Sequence, residues 1–257
     1  MWSGRTQRVP TLAGASISGD GRVATNTGGT QVLFDGVPAP ILYTSSGQVA
    51  AVVPYAVDSK LGTPVQVRNG SLTSGAVALP VAQVSPSIFP VNLSGTGPAA
   101  VLNQDGLTVN SAKNPAAKGS YISIYATGEG QTNPGGIDGR IASGGSLPKP
   151  VREVQAWVDG KPAEVQYAGA APDAVAGLFQ VNVRIPLDAA SGDVPIEIHV
   201  GAASSQAGMT AAVKLAGSAE VPSGSACHLT RLAVNSPSPM SPMVTLNFKS
   251  SPTTLPL

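Results

Sequence analysis

Residues 32–43 read VLFDGVPAPILY, and residues 156–167 read AWVDGKPAEVQY. Asp35-Gly36 falls on Asp159-Gly160, Pro38-Ala39 on Pro162-Ala163 and Tyr43 on Tyr167, at a constant offset of 124 residues. A looser echo follows, with Pro64-Val65-Gln66-Val67 resembling Pro195-Ile196-Glu197-Ile198. The period is too long for a solenoid repeat and close to the size of a small β domain. The chain therefore reads as two homologous all-β modules in tandem, with Tyr43 and Tyr167 in the same structural role. Tandem β modules serve more often as spacers or binding units than as enzymes.

Composition narrows the classes further. Charged residues make up 11% of the 257 and the net charge is +1, which gives no case for nucleic-acid binding or electrostatic membrane docking. Glycine (30) and proline (23) sit between short Val/Ile/Leu runs, as turns sit between strands. The single cysteine, Cys227, allows no intrachain disulfide, so packing must stabilise the fold. No apolar run reaches the ~18 residues of a membrane span. The opening MWSGRTQRVP lacks the apolar core of a signal peptide, so an export signal is not expected within this chain.

Local patterns set the expected boundaries. Residues 1–30 are irregular and Gly/Ser/Thr-rich, with LAGASIS as the one hint of a strand. Residues 31–84 form the first module, with hairpin signals at Asp35-Gly36 and Asn69-Gly70 and a buried strand expected in QVAAVVPYAV. Residues 85–216 form the second module, which starts with connecting strands. Within it YISIYATG puts Ile122 and Ile124 on one face, and FQVNVRI does the same for Phe179, Val181, Val183 and Ile185. Residues 217–257 are a Ser/Pro-rich tail, expected to be disordered or loosely packed. No segment sustains a helical period.

Catalytic motifs are scarce. GASISG at 14–19 has the wrong spacing for a nucleophile elbow, and HExxH, CxxC, P-loop and dinucleotide-binding patterns do not occur. His199 alternates within PIEIHVG as a solvent-facing or edge-strand residue, and His228 lies in the tail beside Cys227. Asp35 and Asp159 each precede Gly in a hairpin, where Asp serves the turn. The one region with site character is 127–140, TGEGQTNPGGIDGR. There Glu129, Asn133 and Asp138 gather on flexible backbone. Oxygen ligands of that kind suit Ca²⁺, which takes six to eight of them. The alternative is a long connection whose Gly and Asn serve turn geometry. Aromatics Phe34, Tyr43, Tyr55, Trp157, Tyr167 and Phe179 sit on predicted strands, where burial is the commoner state. Trp157 is out of phase with Val158, which places it on the outer face.

FDGVPAPILY, GQVAAVVPY, NPAAKGSYISIYATGEGQTNP, DGRIA, YAGAAPDAVAGLFQVNVRIP and GAASSQAG together resemble the C-terminal domain of large secreted proteins of Solibacter-type Acidobacteria. The resemblance covers roughly residues 30–215. It implies two tandem immunoglobulin-like sandwiches of the IPT/TIG kind, at the secreted or cell-surface end of an exported protein. Two departures stand out. The family's first module opens on a strand like YISIYATG, which residues 1–30 lack, so that module is one edge strand short or uses LAGASIS instead. The tail after Leu215 has no counterpart. The expected function is a non-catalytic spacer, adhesion or surface-association module, with parent-protein domains or cell-surface material as partners. Two alternatives stay open: a Ca²⁺-dependent hydrolase of a small ester or lactone working at 127–140, and a carbohydrate-binding module using exposed aromatics.

Overall fold

The computed structural model describes residues 12–92 and 94–215, together with the backbone of Thr245–Leu246. The described residues are nearly all β, and they contain no α-helix. Each Asp-Gly dipeptide makes a tight hairpin. Asp35 and Gly36 have φ of 50° and 79°, and Asp159 and Gly160 have 56° and 69°. Two consecutive positive φ values match the right-handed twist of the flanking strands, and Asp and Gly adopt them at low cost.

The wiring around the two turns is the same. Thr30–Phe34 pairs with Val37–Pro38 across the first turn, and on its other edge with Gly62–Asn69. Val154–Val158 pairs with Lys161–Ala163 across the second, and on its other edge with Gly192–Val200. The Asp35 amide donates to the Pro64 carbonyl and the Asp159 amide to the Pro195 carbonyl, each at 2.8 Å. The next strands, Ile41–Thr44 and Val165–Ala170, both shift register by a bulge, immediately before Tyr43 in one and Tyr167 in the other.

Alternation then builds the cores. In the N-terminal half, Val32, Phe34 and Val65 from one sheet meet Ile41, Val49 and Ala51 from the sheet opposite. In the C-terminal half, Ile122, Ile124, Phe179, Val181 and Val183 face Val158, Ile196, Ile198 and Met209. Most strands turn alternate apolar side chains to the facing sheet, as in a β-sandwich, while Leu33 and Ala50 are buried on the opposite side of their strands. A third cluster belongs to both halves: Val175 and Ile141 pack with Val23, Leu42, Ala50 and Val52.

Two expected strands differ. QVAAVVPYAV is strand only over Val49–Ala51 and becomes a 3₁₀ turn at Tyr55–Val57. Pro54 precedes that turn and offers no amide to continue a ladder. LAGASIS contributes Ala13–Gly14, paired with Tyr43 and Thr44. The Ser/Pro-rich tail lies outside the described residues except for Thr245–Leu246, which pairs with Val49 and Ala50.

Phe179 is fully buried between the sheets, whereas Tyr167 is half-buried with its hydroxyl donated to the Ala170 carbonyl at 2.7 Å. Denaturant melts should show Phe179→Ala losing about 3–5 kcal/mol. Tyr167→Phe, which deletes one hydrogen bond and keeps the ring, should lose about 1 kcal/mol.

Candidate functional site

The strand Tyr121–Thr127 ends in Gly128-Glu129-Gly130, and both glycines have positive φ, 83° and 75°. A Cβ at Gly128 would overlap the Ser85 carbonyl, and one at Gly130 would overlap the Gln83 carbonyl. Residues 83–85 can lie this close only because both positions lack a side chain. The Ser85 amide donates to the Gly128 carbonyl at 2.9 Å. Glu129, held between these contacts, is only 5% exposed.

The loop then closes on Tyr55 of the N-terminal half. Asp138 Oδ1 accepts the Tyr55 amide at 2.8 Å. Gln131 Nε2 donates to the Tyr55 carbonyl at 3.1 Å. Gly136 lies so close under the Tyr55 ring that any added Cβ would overlap it. The backbone of Tyr55 is thus held by two side chains of the loop, and its ring by the loop's own main chain. Burial pushes the phenol far above its ordinary range, and the Glu129 and Asp138 carboxylates push it further. Burial also raises the Glu129 carboxyl, to about 7, although its own amide and that of Gly128 partly offset the rise.

Of the three oxygen ligands expected from the sequence, Asp138 accepts the Tyr55 amide, and Glu129 is buried with its charge raising the Tyr55 phenol. Asn133 is exposed, on the short strand Thr132–Asn133 that pairs with Lys149–Pro150. Among the described residues, no three His, Cys, Asp or Glu side chains converge as metal ligands do. Asp138 gives one carboxylate oxygen to a backbone amide, and Glu129 faces a site where its charged form is disfavoured.

The hairpin aspartates serve their turns. Asp35 pairs with Lys60 at 2.6 Å. Asp159 accepts the Ala190 amide at 2.8 Å, and this bond holds its carboxyl below the usual range. His199 is not at an edge: it pairs with Gln155 on one side and with Ser204 on the other. Its ring lies 4.1 Å from that of Trp157, and its Nε2 sits 2.8 Å from Glu197 Oε1. Cys227 and His228 lie outside the described residues. Sequence reasoning missed Tyr55 as the hub. The available signal was Gly-x-Gly around a lone acidic residue, a spacing that marks close backbone approach.

Residues 8–81 match the IPT/TIG domain family, whose members are immunoglobulin-like and non-catalytic and commonly occur in extracellular or surface proteins. Comparison with curated proteins finds no match for the chain. No helix among the described residues is long and apolar enough to cross a membrane.

The buried carboxyl makes stability depend on pH. Below its ordinary value of 4.5 Glu129 is protonated folded and unfolded, so it costs nothing; above about 7 it is ionised in both states and the full cost of the buried charge is present. Stability should fall as pH rises from about 4.5 to about 7. Glu129→Gln should remove that dependence and gain on the order of 3 kcal/mol over wild type at pH 8. Urea melts of both proteins from pH 4 to 8 measure the difference.

Proposed function

We propose that this chain is a non-catalytic, stiff spacer from an exported bacterial protein of the Solibacter type. Two immunoglobulin-like modules, residues 31–84 and 85–216, hold a fixed angle between neighbouring domains and the cell surface. The observation that carries this reading is the closure of the 127–140 loop on Tyr55. Hydrogen bonds reach both the amide and the carbonyl of that residue, and they span the two halves. The shared cluster around Val175 supports it, as does the Val23 amide, which donates to the Gly139 carbonyl at 2.7 Å. Flexibly linked modules would lack a common core, and their relative motion would be the default.

Small-angle X-ray scattering of the purified chain is the test. Wild type should fit a single relative orientation of the halves. Tyr55→Ala should broaden the distribution, because it empties the seat above Gly136. Equal flexibility in both proteins would remove the spacer reading. The non-catalytic part is tested separately with p-nitrophenyl esters and acyl lactones, with and without EDTA. Turnover should stay at background; turnover that EDTA abolishes would favour a metal-dependent hydrolase instead.

A further inference from the structure

The outer face of Val154–Val158 carries a group of side chains that the joint between the halves does not use. Ala156 and Val158 are buried, which leaves Gln155 and Trp157 on the solvent side. Across the sheet Trp157 stands opposite Pro162 on one neighbour and Glu197 on the other, and Gln155 stands opposite His199. The imidazole lies 4.1 Å from the indole, tilted by 35°, and bonds Glu197 at 2.8 Å. These contacts fix the indole and the carboxylate relative to each other.

A hollow opens beside the indole for a topological reason. Lys161–Ala163 pairs only with Ala156–Val158, and the chain then crosses to the other sheet at Val165. Among the described residues, Val154 and Gln155 are left with no strand on that side. The space is about 350 Å³, bounded by Gln155, Trp157, Pro162, Ala163 and Val165.

We propose that this hollow binds a neutral saccharide, with one pyranose ring on Trp157 and its hydroxyls bonded to Gln155. A pyranose presents a C–H face that stacks on an aromatic ring, and a rim of hydroxyls that each donate and accept. Gln155 supplies a donor and an acceptor in one amide. The volume falls within the range of small-ligand clefts. No residue bounding the hollow carries a formal charge, which selects a neutral ligand over an ionic one. The N-terminal half repeats the scaffold without the platform. Leu33 stands where Trp157 does, between Pro38 and Gln66. The site thus belongs to one half only, and it does not depend on the spacer reading.

The test is calorimetric titration of the full chain with cellohexaose, xylohexaose and chitohexaose, followed in parallel by tryptophan fluorescence. At least one glycan should bind saturably and perturb the emission. Trp157→Ala should weaken binding about tenfold or more, the loss expected for one ring contact. Gln155→Ala, at an exposed position, tests the same site should Trp157→Ala fail to fold, and it should also weaken binding. Gln31→Ala, at the equivalent place in the N-terminal half, should leave binding unchanged. The proposal is overturned by no saturable signal from any of the three glycans up to about 10 mM, or by equal affinity in wild type and Gln155→Ala.

Discussion

Two glycines set the geometry on which the rest of the molecule depends. At Gly128 and Gly130 the segment 83–85 lies closer to the loop than any side chain would permit. That approach turns Glu129 inward and carries the loop towards the N-terminal half. The loop then reaches Tyr55 with Gln131 and Asp138, and Gly136 leaves room for the ring. These hydrogen bonds join the halves beside the shared apolar cluster around Val175. They work because the backbone has been brought within hydrogen-bonding distance first.

The arrangement carries an electrostatic cost. A carboxyl that is 5% exposed, with no cation beside it among the described residues, opposes folding when ionised. The shared apolar cluster around Val23, Leu42, Ala50 and Val175 lies at the same joint and acts in the opposite direction. The chain has no disulfide available to offset the cost otherwise, because Cys227 has no partner cysteine.

Local features were legible in the sequence because their causes are local. Asp-Gly needs positive φ at both positions, and both hairpins have it. Alternation in YISIYAT and FQVNVR gives alternating burial without exception up to the last residue of each strand. Trp157 was readable as outward-facing from its phase against Val158. What escaped depends on residues distant in sequence. Tyr55 was assigned to a strand because the apolar run around it is continuous; Pro54 and the loop from 127 to 140 determine its real conformation. Glu129 and Asp138 were read as candidate ion ligands; what the sequence did not show is that Asp138 accepts the Tyr55 amide and that Glu129 is buried. His199 was read as solvent-facing or at an edge; it lies on the outer face, but nothing in PIEIHVG tells that strands will flank it on both sides.

The cluster that holds Val175 and Ile141 against Val23, Leu42 and Ala50 has a consequence for how such a chain can be inherited. A recombination crossover near residue 84 would give each product a raw apolar face where the other half had been. Natural shuffling should therefore move the two halves as one cassette. Further copies of the architecture would then come in pairs.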